Sequence, residues 1–305
     1  MSDIYAVARP AAIRWHPAVV RAAPVTAVVT ALMVIWYVAA VLMNWNIVRS
    51  QFERDDAPYT TGQLIAGTLD AERPLLPAPH QIVATFAEDV FGWPVTSPRS
   101  LVYHSWVTLS ATFVGFLLGA SFGIFLAVLI VHARTLQKSL LPWIICSQMV
   151  PILAVAPIVI VVLGSIGLRG LLPKAIISAY LCFFPVTIGV VKGLNSPDPI
   201  QLDLMRTWSA TPAQIFWKLR WPSAVPFLFT SLKVSITISL IGAIVAELPT
   251  GAQAGIGARL LAGSYYGQTV QIWAALVAAS IVAVGLIGVV DLIQRWVGQM
   301  MGARA

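Results

Sequence analysis

The chain has 305 residues, 58% of them hydrophobic and only 10% charged, and its mean hydropathy is +0.84. A water-soluble domain carries about 25% charged residues, so a fully solvated surface is excluded, and six stretches of about 20 apolar residues fit within the length. The formal charge of +7 comes from cations dispersed among loops rather than gathered in a patch, which argues against nucleic acid and suits the cytoplasmic loops of a membrane protein.

The predicted elements begin with a basic tail, residues 1–24, and an uncharged span at 25–43. Arg9, Arg14 and Arg21 before the span also suit a signal peptide. The apolar run, however, exceeds the ~7–15 residues of a signal core, and no small-x-small site follows, so a retained helix is expected. Residues 44–105 form a loop too long for a simple connector, with seven acids and several prolines. Ile82, Val83, Phe86 and Val90 in it have helical apolar spacing. They predict a short helix on the outer membrane face, or else one packed on the loop itself.

Residues 106–297 hold five further spans, at 106–131, 140–163, 171–191, 227–248 and 272–293, followed by a tail at 298–305. Trp45, Trp106, Trp143, Trp273 and Trp296 stand at segment ends, as an interfacial aromatic belt requires. Ala111, Gly115, Gly119, Gly123 and Ala127 recur every four positions, the small-xxx-small pattern of close helix packing. With six spans both termini share a side. An inside N-terminus places eleven of the nineteen cations on inner segments and six on outer ones, which favours N-inside. The whole is an all-α integral membrane protein of about six transmembrane helices. Cys146 and Cys182 lie in apolar segments, and His16, His80, His104 and His132 are scattered, so neither a disulfide framework nor a metal site is expected.

Residues 192–226 form a cytoplasmic stretch between two spans. Thr211 and Gln214 make a capping box with Pro212 at the first helical position, so a helix starts there and residues 209–211 break it from a preceding one. Ile215, Phe216 and Leu219 share a face. Such a helix–break–helix lies on the lipid interface or docks in a groove of a cytoplasmic partner.

In this segment the chain resembles the inner-membrane permeases of binding-protein-dependent ABC importers. Their signature runs Glu-Ala-Ala, three residues, Gly, nine residues, Ile, one residue, Leu-Pro. Asp203 takes the Glu place, Ser209 the Gly, Leu219 the Ile, and Trp221-Pro222 the Leu-Pro, with every spacing kept and the letters degenerate, Asp for Glu, Ser for Gly and Trp for Leu among the changes. Gln148-Met149-Val150-Pro151, Ala156-Pro157, Gly164, Gly167, Phe183-Phe184-Pro185, Gly193-Leu194, Ala246-Glu247, Gly255-Ile256-Gly257 and Asp291 are similar to the nitrate/sulfonate/taurine-type subgroup. The resemblance covers roughly 76–297, leaving 44–75 as an insertion. It implies the type I importer permease architecture in a bacterial inner membrane and a second permease subunit, identical or not. It also implies cytoplasmic ABC ATPase subunits carrying ATP and Mg, and a periplasmic substrate-binding protein. The coupling residues it implies are Asp203, Arg206, Ser209, Ala210, Thr211, Pro212, Ile215, Phe216 and Leu219, with Ile215, Phe216 and Leu219 as apolar anchors. Asp198 is read as an exposed loop residue.

Polar groups inside spans are candidate pathway residues. Lys233, Thr237 and Glu247 share one face of the fifth span, opposite a ridge of Ser231, Ser235, Ser239, Gly242 and Ala246. Snorkelling of Lys233 to the interface is the alternative. Gln148, Met149 and Pro151 mark a proline-broken stretch that suits a cavity wall. Asp291 is expected to pair with Arg295. The chain has no GxxxxGK[ST] loop, HExxH, GxSxG or paired-carboxylate constellation, so no catalytic residue or cofactor of its own is expected. An ion-coupled secondary transporter is the alternative, but the inverted repeats and midplane carboxylates it needs are not found. The resemblance implies a nitrate, sulfonate or taurine cargo, or a thiamine- or flavin-related precursor. The single candidate cation, Lys233, points to a small nitrogen-containing organic molecule.

Overall fold

A computed structural model describes residues 17–56, 58–249 and 254–302, the side chains of 17–23 and 134 aside. Most of the expected N-terminal tail and the last three residues lie outside the described residues. Those described form α-helices and one π-helical turn, with no strand among them. They divide into two compact units, residues 1–81 and 82–305.

In the first unit, α1 (Pro17–Arg54) carries the expected span at 25–43 but continues past it. Residues 44–54 contain neither Gly nor Pro, so nothing stops the helix, and Arg49 bonds Glu53 one turn on at 2.7 Å. After it, α2 (Thr61–Leu69) starts on a capping box between Thr60 and Gln63. The insertion is organised by Asn44, which is fully buried. Its amide donates to the carbonyls of Thr68 (3.1 Å) and Leu76 (2.9 Å), and its oxygen accepts from the Leu75 N–H at 2.8 Å. One polar side chain thus satisfies backbone groups that a structureless loop would leave to water.

In the second unit, α3 (Pro79–Phe91) precedes α4 (Leu101–His132). Of the expected apolar face, Ile82 is buried and Phe86 and Val90 join a cluster of Leu101, Ile256 and Ala274, while Val83 stays exposed. Asp89 meets Arg259 at 3.2 Å. The third expected span is two helices, α5 (Arg134–Ser147) and α6 (Ile152–Ser165), bent by 96°. Pro151 ends the hydrogen-bond ladder, and the Tyr180 hydroxyl donates to the freed Ser147 carbonyl. Each half is about 21 Å long, short of a ~30 Å hydrocarbon core. Then follow α7 (Leu171–Leu194), α8 (Pro199–Thr207), α9 (Pro212–Ile215), a π turn at Phe216–Arg220, α10 (Trp221–Glu247), α11 (Ile256–Tyr265) and α12 (Thr269–Met300). Among the described residues five helical stretches are long and apolar enough to cross a membrane, or six if the bent pair counts as one span.

The core is α4 against α7 against α10. A Cβ on Gly115 would lie 2.5 Å from Ser178 Cβ, and one on Gly119 would lie 2.2 Å from Cys182 Sγ. The small row therefore lets two backbones touch, and backbone contact lets polar groups reach across. Ser178 donates to the Ser239 carbonyl, and the Ser239 hydroxyl donates to the Thr112 carbonyl at 2.9 Å. The Thr187 hydroxyl lies 3.2 Å from the Gly123 carbonyl. Such interhelical bonds hold bundles in lipid, where burial of apolar surface gives no drive.

Candidate functional site

The candidate coupling segment is a helix–turn–helix at one end of the core. Asp198, read from sequence as a loop residue, caps α8 in a capping box with Gln201, and Pro199 opens the first turn. Arg206 meets Asp203 at 3.0 Å on its surface. Ser209 has φ +52°, the left-handed region, which explains why the resembling signature has glycine there: a Cβ in that region costs about 1–2 kcal/mol. Thr211 caps α9 through Gln214, with Pro212 at its first turn, and Ala210 is half-buried between the two helices.

The expected anchors need correction. Phe216 is 8% exposed and packs within its own chain, against Ala127, Val190, Leu194 and Ala224, with the His132 ring at 5.2 Å. Ile215 and Leu219 are half-buried. The cause is the π turn: the Trp221 N–H reaches the Phe216 carbonyl, five residues back, so α9 runs without a break into α10 and turns Phe216 toward the core. The side chains left exposed are Ile200, Leu204 and Trp208 along one stripe of α8, and Trp217 beyond the turn; Trp208 is 75% exposed and Trp217 63%.

At the opposite end of the core, Glu247 corrects a second expectation. It does not line an open path, because its side chain is 0% exposed. It accepts from the Thr108 hydroxyl (3.1 and 3.0 Å), from the Lys174 ammonium (3.1 Å) and from the Gly257 N–H (2.8 Å). Lys174 also donates to the Ala254 carbonyl at 3.0 Å, and Ile256 N–H donates to Thr108 at 2.8 Å. His104 accepts from Gly255 N–H at 3.0 Å on one ring nitrogen and meets the Pro98 carbonyl at 2.8 Å with the other. One carboxylate thus joins α4, α7, α10 and the start of α11. The glycines follow from it: a Cβ on Gly255, whose φ is +128°, would stand 2.2 Å from the carboxylate. In the sequence Gly255-Ile256-Gly257 stands out only as part of the resemblance. The signal available was a lone Glu eight residues before a Gly-x-Gly, with a lone Lys in another span.

Between these ends, Lys233 on α10 pairs with Asp291 on α12, with side chains 33% and 39% exposed. Asp291 was expected to pair with Arg295. The closer partner lies across the helix interface, where α10 and α12 share the cluster of Phe229, Ile236 and Val290. Thr237 is half-buried and donates to the Lys233 carbonyl at 3.2 Å. Gln148, Met149 and Pro151 form the α5–α6 bend, with Met149 exposed and Gln148 half-buried. The opposite ridge, Ser231, Ser235, Ser239 and Ala246, is buried. Among the described residues no group of three or more His, Cys, Asp or Glu could hold a metal ion.

The family described as binding-protein-dependent transport system inner membrane component matches residues 119–302. A probable ABC transporter permease protein of Haemophilus influenzae is 32% identical over 181 residues, 59% of this chain and 72% of that protein. The formylaminopyrimidine transport permease protein ThiX of Halalkalibacterium halodurans is 31% identical over 184 residues, 60% of this chain and 68% of its own length. A chain of the MetNI methionine ABC transporter in an inward-facing conformation shares the fold, with TM-score 0.51 at 21% identity over 65% of this chain and 95% of that one.

Proposed function

This chain belongs to the family of binding-protein-dependent transport system inner membrane components, as the permease subunit of an ATP-driven ABC importer, and from that premise we propose its partners, orientation and cargo. The chain pairs with a second permease subunit, its own copy or a related chain, in a bacterial inner membrane with its N-terminus in the cytoplasm. Each coupling segment seats on a cytoplasmic ATPase that holds ATP and Mg and performs the hydrolysis. A periplasmic binding protein delivers cargo at the end where Glu247 ties α4, α7, α10 and α11.

The observation that carries this reading is the stripe of Ile200, Leu204 and Trp208, joined by Trp217. Exposed apolar side chains at i, i+4 and i+8 on a capped helix need a partner surface, and aromatic anchors are what protein grooves accept. The path is bordered by Lys233, Thr237 and the Gln148–Pro151 bend. Its cargo is a small organic nutrient of the class transported by the formylaminopyrimidine relative. In support, both lysines within the cores of α7 and α10 are neutralised, Lys174 by Glu247 and Lys233 by Asp291, which leaves no free cation there for nitrate or a sulfonate.

Uptake in vesicles carrying the permease with the ATPase and binding protein encoded beside it tests the assignment. Transport is expected to require ATP and the binding protein. Transport that persists without ATP and collapses with the ion gradient would make the chain a secondary carrier. Orientation is read separately: an impermeant thiol reagent on intact cells should label Glu88→Cys and spare Ser209→Cys, and the reverse pattern inverts the topology.

A further inference from the structure

The two ion pairs inside the spans differ in kind. Lys174–Glu247 is enclosed: its side chains are 11% and 0% exposed, and Thr108, Gly257 and Ala254 complete its hydrogen bonds. Lys233–Asp291 is about a third open on both sides. Lys233 stands near the middle of α10, about 18 Å from one end and ~21 Å from the other, whereas Asp291 stands about 33 Å from the start of α12 and ~14 Å from its end, at 1.5 Å per residue. The space before Asp291 is also open on the α12 side, since a Cβ on Gly288, one turn earlier, would meet nothing within 4 Å.

A charged pair at that depth cannot face hydrocarbon without heavy cost. It faces water or protein. Enclosure within the chain is ruled out by its exposure, so water in a path, a second permease subunit or the inner headgroup layer must cover it.

We infer that Lys233 and Asp291 line the translocation path as a charge-balanced pair that selects for cargo without net charge, neutral or zwitterionic. This rests on the permease reading above. The logic is electrostatic. Inside a low-dielectric wall an unpaired lysine would hold a single anion tightly and slow its exit, whereas a paired one presents a dipole. A dipole orients a polar neutral molecule, and it can take the two ends of a zwitterion on Asp291 and Lys233, without trapping a lone ion. Thr237, one turn from Lys233, adds a hydroxyl on the same side.

Cysteine accessibility in the assembled importer tests this, with Cys146→Ala as background because Cys146 is exposed and Cys182 is buried. Asp291→Cys is treated with anionic and cationic methanethiosulfonates in right-side-out and inverted vesicles, with and without ATP. It should react faster than Val289→Cys, which is also exposed and lies at the same depth but about 160° around α12, and the anionic reagent should win by about tenfold because Lys233 is then unpaired. In Lys233→Met/Asp291→Cys, which has no charge at the site and so guards against misfolding of the single variant, labelling should persist and the ratio fall to about one. Reaction no faster than Val289→Cys in every condition would mean that the second subunit or the headgroup layer, not a path, covers the pair, and would overturn the proposal. A ratio near one with Lys233 present would overturn its charge-selecting part. Recovery of the ATPase with each variant is read in parallel: its loss from the parent protein would instead undo the permease assignment.

Discussion

Lys174 and Glu247 meet 3.1 Å apart between α7 and α10, and the carboxylate is shut off from solvent altogether. Enclosure makes the pair conditional: each charge is tolerable only while the other is present, and the Thr108 and Gly257 donors saturate what remains. The entry to α11 therefore depends on this pair as well as on the Thr108 and His104 side chains that hold Ile256 and Gly255.

Removing one partner is the sharpest test of that dependence. Lys174→Met leaves a buried carboxylate uncompensated and should destabilise the permease by about 3–5 kcal/mol, read as a lowered Tm in detergent. Lys174→Met/Glu247→Gln removes both charges while the amide oxygen still accepts from Gly257 N–H, so it should recover part of the loss. A double variant as weak as Lys174→Met alone would mean that the charge pair is not what holds the loop.

Packing gives the second prediction. Gly119→Ala places a methyl 2.2 Å from Cys182 Sγ and 2.6 Å from the Ala179 carbonyl. The backbone oxygen cannot retreat as a flexible tip would, so α4 and α7 must separate. The expected loss is about 1–3 kcal/mol. Gly285→Ala, with nothing within 4 Å, should be neutral or gain up to ~1 kcal/mol from helix propensity. Equal effects from the two substitutions would contradict the account of the small-residue row.

These glycines were legible in the sequence because a period of four is a one-dimensional signal, and so was the α9 start, because Thr211, Pro212 and Gln214 are neighbours in the chain. Glu247 and Lys174 are 73 residues apart, and nothing local distinguishes a carboxylate at a pore mouth from one sealed by another helix. Phe216 misled for a related reason. Its helical face is clear from spacing, but the π turn that follows rotates that face by an amount set by where α10 must pack. Asn44 looked like the first residue of a loop because its four backbone partners lie at residues 68, 75 and 76, beyond any pattern window.

The turn at Ser209 supplies a third prediction. Its φ of +52° strains any residue with a Cβ, so Ser209→Gly should stabilise the coupling segment by about 1 kcal/mol. Hydrogen exchange across α8 and α9 should slow accordingly. Thr211→Ala works in the opposite direction, removing the cap on the Gln214 N–H at a cost of about 1 kcal/mol. Faster exchange in Ser209→Gly would show that serine's side chain contributes more than its backbone strain removes.

Docking and folding are separable in this segment, because its aromatic residues divide into two sets. Trp208 is exposed and free of the core, so Trp208→Ala should leave the Tm of the permease nearly unchanged. As an anchor in the ATPase groove, its truncation should weaken recovery of the ATPase by about 2 kcal/mol or more, roughly thirtyfold in affinity. Phe216 is buried among Ala127, Val190, Leu194 and Ala224, so Phe216→Ala opens a cavity in the permease itself, at about 3–5 kcal/mol. That variant should lose thermal stability first and ATPase recovery only as a consequence. Arg206 and Asp203 form an exposed pair at 3.0 Å, worth no more than ~1 kcal/mol and screened by salt. Arg206→Ala should therefore shift recovery only slightly, and less at high ionic strength. Thermal unfolding of the isolated permease, set beside co-purification of the ATPase from the same preparations, measures both quantities. Undiminished ATPase recovery with Trp208→Ala and Trp217→Ala together would falsify the exposed stripe as the docking face, whatever Phe216→Ala does to stability.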